Sequence, residues 1–305
     1  MSRKMKILIA YDGSECARAA LGELTRAGLP EEAEAIVISV ADAYLPHPSE
    51  DEAVFTAQPP FPPFVIEGVT RARLRALAEV KEAYSLASLA CERVRQLFPA
   101  WQVRPEACAD SPAWGSLKKA GDWEADLIVV GSHGYAPLHR YLLGSVSQEV
   151  LYEAPCSVRI ARESDKAIDA PVRIMIGTDG SSGADAAVKA VAARNWPAGT
   201  EARVIAALDA MMYVGETDAR HPVVKWLDAN DEADRQWAQS RLEESAERLR
   251  AVGITATVTI QSGNPKSLLV AEAESWQADT IFVGARGIRG LERFLLGSTS
   301  AAVAG

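Results

Sequence analysis

The sequence predicts an α/β protein made of two tandem, doubly wound parallel-sheet domains. Three observations carry that expectation. Short apolar runs alternate with segments of helical character along the chain, the pattern of strand–helix–strand crossovers. The run 6–11 ending in Asp12-Gly13-Ser14 recurs as the run 173–178 ending in Asp179-Gly180-Ser181. Gly131-Ser132-His133-Gly134, nine residues and Gly144-Ser145 recur 153 positions later as Gly284-Ala285-Arg286-Gly287, nine residues and Gly297-Ser298.

The elements of the first repeat follow in order. Lys6-Ile-Leu-Ile-Ala-Tyr11 is an apolar strand over 6–11, and the Ala-rich segment after Asp-Gly-Ser is a helix over 15–27, capped by the serine or aspartate. Apolar runs place further strands at 34–40, 102–108, 126–130 and 156–161. Helical spacing places helices at 70–98, 112–122 and 145–153. The second repeat yields strands at 173–178, 202–208, 254–261 and 279–283, with helices at 183–194, 223–251, 265–275 and 298–304. The fifth strand of the first repeat, within Ala154-Pro-Cys-Ser-Val-Arg-Ile160, has its counterpart beyond residue 305, so the second sheet is expected to lack that strand. The predicted domains are 1–162 and 172–305, joined by a hydrophilic linker at 163–171. Asp12 to Gly131 spans 119 positions against 105 from Asp179 to Gly284; the surplus of about fourteen falls in the Pro-rich stretch 45–64, read as a surface loop or lid rigidified by proline, with a polyproline-type partner motif as the alternative.

Composition narrows the function classes. A chain of 305 residues has room for two cores. A net charge of −9 speaks against a general nucleic-acid or membrane-surface binder. No apolar run approaches the roughly 20 residues of a membrane span, and the apolar run near the start stops at Asp12, too short for a signal-peptide core. Four cysteines without close pairs argue against a disulfide framework or a zinc site and suit a reducing, cytoplasmic setting.

In an open parallel sheet ligands bind beyond the carboxyl ends of the strands, where strand order reverses. With strands one and four adjacent there, the Asp-Gly-Ser turn and the Gly-rich loop share one crevice. Gly131 and Gly134 let backbone approach ribose and phosphate oxygens, and Gly144-Ser145 opens a helix whose unpaired N–H groups meet phosphates, with Ser147 behind as a further hydroxyl. Asp12, an acceptor when ionised, suits an adenine amino group or a ribose hydroxyl. Asp179, Gly284, Gly287, Gly297, Ser298 and Thr299 hold the same roles in the second repeat. His133, Arg140 and Arg293 lie on the loops as further phosphate contacts or plain solvated residues. Neither loop ends in the Lys-Ser/Thr of a P-loop, and neither is a Gly-x-Gly-x-x-Gly turn.

Gly-x2-Gly-x9-Gly-Ser, together with Asp-Gly-Ser and Ala125-Asp-Leu-Ile-Val-Val-Gly131, resembles the universal stress protein family, in its ATP-binding, tandem form. The resemblance covers nearly the whole chain. It implies strand order 3-2-1-4-5, an adenine-nucleotide α-hydrolase-like fold, and ATP, ADP or AMP in the crevice with Mg2+ held through the phosphates. It implies contacts at Asp12, Val40, Gly131, Gly134, Gly144 and Ser145, and at Asp179, Ala207, Gly284, Gly287, Gly297 and Ser298. It also implies an internal pseudo-dimer of the two domains, with a homodimer and an unknown regulatory protein partner as further associations. One departure stands out: the family's Gly-x-Pro after strand three survives as Gly263-Asn-Pro265, but the first repeat has Asp110-Ser-Pro112. The expected function is an ATP-binding stress-response regulator that hydrolyses ATP slowly or not at all. Two alternatives are an ATP-using enzyme of the α-hydrolase-like group and a protein-interaction scaffold with one degenerate site.

Overall fold

β-Branched and aliphatic runs bounded by turn residues make the strands, and their burial on both faces follows from crossover helices on each side. The computed structural model describes residues 3–43, 62–132, 143–162, 166–208, 212–216, 222–225, 232–285 and 296–305. The first repeat runs β1 (Met5–Ala10), α1 (Glu15–Glu23), a 3-10 turn (Leu24–Arg26), β2 (Ala33–Asp42), α2 (Pro63–Leu97), β3 (Gln102–Asp110), α3 (Pro112–Trp123), β4 (Leu127–Gly131), α4 (Ser145–Glu153) and β5 (Ser157–Ala161). The second runs β6 (Arg173–Gly177), α5 (Ser182–Ala192), β7 (Glu201–Leu208), β8 (Met212–Glu216), β9 (Pro222–Lys225), α6 (Glu232–Arg250), β10 (Thr255–Ser262), α7 (Pro265–Trp276), β11 (Thr280–Val283) and α8 (Ser298–Ala304).

The first sheet is parallel in the order β3-β2-β1-β4-β5, and the second is a four-stranded sheet in the order β10-β7-β6-β11. Ile7, Leu8, Ile9, Ile36 and Ile128 form the centre of the first core; Ile174, Met175, Ile176 and Ile205 form that of the second. The four-stranded second sheet agrees with the sequence expectation, and it has a physical signature. β4, flanked by β1 and β5, is buried from Leu127 to Val130, whereas β11 is only half-buried along its length.

Two compact units result, residues 1–24 with 30–164 and residues 25–29 with 165–305. The short segment after α1 therefore groups with the second unit, where Arg26 is buried and donates to the carbonyls of Ala167 and Ala170 at 2.6 and 2.9 Å.

Two sequence expectations need correction. The helix expected at 223–251 begins only at Glu232; Pro222–Lys225 is instead a strand paired antiparallel with Met212–Glu216. Val223-Val224 favours the extended backbone over a helix, and β-branching is the reason. The helix expected at 70–98 begins earlier, at Pro63. Proline is tolerated in the first turn, where its missing N–H would have had no partner. The rest of the Pro-rich stretch, 45–61, lies outside the described residues.

Candidate functional site

Each sheet ends its first strand in the same turn. The Ser14 N–H donates to Asp12 Oδ1 at 2.9 Å and the Ser181 N–H donates to Asp179 Oδ1 at 3.0 Å, closing two Asx turns. Gly13 and Gly180 supply the required positive φ, 81° and 79°. Ser14 Oγ then caps α1 by accepting from the Ala17 N–H at 3.1 Å, and Ser181 Oγ caps α5 by accepting from Ala184 at 3.2 Å. The serines are thus the helix caps, and each aspartate braces the turn.

The strand-four glycines lie directly against these helix starts. β1 pairs with β4 and β6 with β11. A Cβ added at Gly131 would stand 3.3 Å from the backbone of Cys16 and Ala17. At Gly284 the approach is closer: a Cβ would lie 2.5 Å from the carbonyl carbon of Gly183 and 2.8 Å from the Ala184 nitrogen. Gly131 and Gly284, the first glycines of the two Gly-rich loops, therefore lie beside the helices that follow the Asp-Gly-Ser turns, at the carboxyl ends of the central strands. In the second repeat the first glycine is also required for strand to pack on helix, whereas at Gly131 the fit is tight without excluding a methyl group.

Beyond these glycines the two repeats share a second pair of bonds. The Gly144 N–H donates to the Ser132 carbonyl and the Gly297 N–H to the Ala285 carbonyl, both at 2.8 Å, tying the base of the nine-residue loop. Ser147 Oγ donates to the Gly131 carbonyl and Ser300 Oγ to the Gly284 carbonyl, both at 2.6 Å. Two sequence readings change here. The Gly144 amide closes the loop rather than waiting for a phosphate, and the Ser147 hydroxyl spends its proton on the scaffold. The signal was present in the repeat, since Ser145-Val-Ser147 and Ser298-Thr-Ser300 place the second serine identically.

What the helix starts leave open is their first turn. α1, α3, α5 and α7 each carry a side-chain cap, from Ser14, Ser111, Ser181 and Asn264. α4 and α8 begin at Gly144 and Gly297 and have none. The N–H groups of Ser145, Val146 and Ser147 thus head α4 with no capping oxygen, and Ser298, Thr299 and Ser300 do the same in α8.

The remaining site residues sit beside this edge. Tyr11 and Thr178 donate their N–H to Ile38 and Ile205 at 2.9 Å, which brings the ends of β2 and β7 alongside the turns. Val40 is half-buried and packs under α3, where a Cβ on Gly115 would lie 2.9 Å from it; Ala207 is half-buried in the second sheet. Gly134, Gly287, His133, Arg140 and Arg293 lie outside the described residues. Asp126 of the Ala-Asp-Leu-Ile segment works at the opposite edge. It accepts the Lys6 N–H at 2.8 Å and donates its own N–H to the Lys6 carbonyl, and Asp279 repeats this with Arg173.

No group of three or more His, Cys, Asp or Glu is arranged to hold a metal among the described residues. All four cysteines are free. Burial and the nearby Asp126 carboxylate push the Cys156 thiol up to about 11, against a backbone hydrogen bond at Ile128, and burial also raises Cys91 and Cys108. These thiols stay protonated at neutral pH, so iodoacetamide at pH 8 is expected to spare them in the folded protein and label them after unfolding. The linkage has a definite sign. A folded pKa above the ordinary thiol value lets the unfolded chain lose its proton first, so Cys156 lowers stability as pH rises from about 9 and the effect levels off above about 11. Urea titrations at pH 8 and pH 10.5, with and without Cys156→Ala, measure it.

Against this geometry the comparisons are specific. The model of the universal stress protein family matches residues 4–162 and again 172–305. The chain belongs to the universal stress protein family. Two matching stretches make it a tandem member. A Thermus aquaticus protein named "Universal stress protein in QAH/OAS sulfhydrylase 3'region" is 33% identical over 156 residues, covering 51% of this chain and 97% of that one. A Synechocystis universal stress protein is 27% identical over 165 residues, covering 52% of this chain and 97% of its own length. Among solved structures, a universal stress protein from Archaeoglobus fulgidus covers 98% of this chain and 94% of its own, with TM-score 0.60 and 23% identity. A putative universal stress protein from Pseudomonas aeruginosa covers 99% and 89%, with TM-score 0.55 and 14% identity. At such identities the two structures establish the fold. Among the described residues no helix is long and apolar enough to cross a membrane.

Proposed function

We propose that the chain is an adenine-nucleotide-binding regulatory member of its family, holding ATP with Mg2+ on the phosphates and turning it over slowly or not at all. The observation that carries this reading is the uncapped first turn of α4, set beside the Asp12 turn by the β1–β4 pairing. Four other helices satisfy that turn with a side chain, whereas α4 opens on a glycine that adds no competing group. Unpaired amides at the positive end of a helix dipole suit phosphate oxygens. Hydrogen bonds to a charged group contribute roughly 1.5–3 kcal/mol each. Three such bonds supply part of the free energy of a nucleotide complex, and contacts to ribose and base must supply the rest against the cost of association. Asp12, in the turn at the end of β1, is the acceptor for ribose or base. Binding rather than turnover fits the inventory, because the hydroxyl of Ser147 is committed to the Gly131 carbonyl and, among the described residues, no nucleophile–base pair stands at the loop base.

Calorimetric titration of the full chain with ATP and Mg2+, with nucleotide content of the purified protein as a second readout, tests the reading. Saturable binding supports it; no heat up to millimolar ATP and no retained nucleotide would remove it. Gly144→Val locates the phosphates. Gly144 has φ −62° and ψ 151°, a backbone valine adopts freely, so α4 and its tie to Ser132 persist. A branched side chain at the head of the helix blocks approach to the amides. The first site is expected to lose at least about 100-fold in affinity, roughly 2.7 kcal/mol, with the circular dichroism spectrum unchanged. Unchanged affinity would put the phosphates elsewhere.

A further inference from the structure

The two crevices are not electrostatically alike. β2 and β3 pair with Val40 opposite Cys108 and Asp42 opposite Asp110. Val40 and Cys108 pack with Ala113 and Leu117 of α3 and with Val150 of α4. Side chains alternate along a strand, so Asp42 and Asp110 continue the same row past the sheet, on the side that α3 and α4 cover. The uncapped turn of α4 opens on that side. Asp110 is fixed there, because its Oδ1 accepts the Ser111 N–H at 2.7 Å. Its charge also reaches Cys108, where it helps raise the thiol pKa. Lys119, on α3, is held by Glu106 at 2.6 Å, and among the described residues no ion pair neutralises Asp42 or Asp110. In the second unit the position matching Asp110 is Gly263, at φ 145°, a conformation an aspartate rarely adopts.

We propose that Asp110 makes the first crevice selective for adenine ligands of low charge over polyphosphates. The proposal rests on the nucleotide reading of the preceding section. β3 lies three strand positions from β4, roughly 14 Å at the usual spacing, so the repulsion is long-range and grows with each charge on the ligand. Against the three to four charges of ATP it amounts to about a three- to tenfold loss of affinity at low ionic strength. The loss fades in salt as the Debye length falls to about 8 Å.

The test uses the full chain carrying Gly297→Val to close the second crevice, titrated with ATP and with adenosine in EDTA. Asp110→Asn, which keeps the acceptor for Ser111, is then added, with Asp110→Ser as a second variant. The expected result is a three- to tenfold gain for ATP, a change within twofold for adenosine, and loss of the gain at high salt. An equal change for both ligands, or none, overturns the proposal. So does a Gly297→Val chain that binds nothing while the unsubstituted chain binds one equivalent. Failure of the unsubstituted chain to bind either ligand removes the nucleotide reading itself.

Discussion

Replacing Glu23 with alanine is expected to destabilise the first unit by about 3–5 kcal/mol. Glu23 on α1 and Arg159 on β5 meet in a two-pronged ion pair, with Arg159 Nε donating to Glu23 Oε2 at 3.0 Å and Nη2 donating to Oε1. Both side chains are only 10% exposed. The size of the effect comes less from the attraction lost than from the guanidinium left in the interior without its counter-charge. A double replacement, Glu23→Leu with Arg159→Met, removes both charges and is expected to recover most of the loss. Urea unfolding of the single and double variants, with hydrogen exchange at β5 and α1, measures it. A single variant that costs less than about 1 kcal/mol would mean that water reaches the pair.

The second large effect is expected at Gly284. A methyl group there meets the Gly183–Ala184 peptide group, its carbon, oxygen and nitrogen at 2.5, 2.7 and 2.8 Å, and none of those atoms belongs to a side chain that can turn aside. Gly284→Ala must push β11 and the start of α5 apart, at about 3 kcal/mol or more. The displacement disturbs the Ser181 cap on Ala184 and the Asp179 turn behind it. On the nucleotide reading proposed above, binding by the second unit is therefore expected to vanish along with the stability. Gly131→Ala is the informative contrast, because its nearest contact is 3.3 Å and a few tenths of an ångström relieve it. It is expected to cost below about 1.5 kcal/mol and to keep the first site. The difference has a cause in sequence. The α5 residue facing Gly284 is Gly183, while the α1 residue facing Gly131 is Cys16, so the second repeat brings two glycine backbones closer. Denaturant titration and calorimetry on both variants check the pair; equal costs would show that the closer approach relaxes freely.

Much of this architecture was legible in the residues. The apolar runs ending in Asp-Gly-Ser fixed both first strands, because burial on two faces demands continuous hydrophobicity and a positive φ demands glycine. The duplicated spacing marked the two glycines, Gly131 and Gly284, that end up against the starts of α1 and α5. Legibility failed where one residue type serves two purposes. Pro63 reads as loop but begins a helix, and Val223-Val224 reads as helix beside Trp226 and Leu227 yet forms a strand. At the site, residue identity alone could not reveal that the Gly144 amide and the Ser147 hydroxyl were already bonded within the scaffold. Nor could it divide the Asp-Gly-Ser turn into a bracing aspartate and a capping serine. Hydrogen-bond partnership is a property of three-dimensional placement, and only the repetition of Ser147 as Ser300 hinted at it.

The tie between Ser132 and Gly144, repeated between Ala285 and Gly297, has a consequence for how such a protein diversifies. Because the ends of the loop are joined to each other, the entropy of closing it falls on the scaffold and changes only slowly with loop length. The intervening residues can then be exchanged wholesale, in evolution or in the laboratory, without reopening the question of whether the sheet folds. The same tie in both repeats leaves the sheet and the helix that follows it anchored to each other whatever the loop sequence between them.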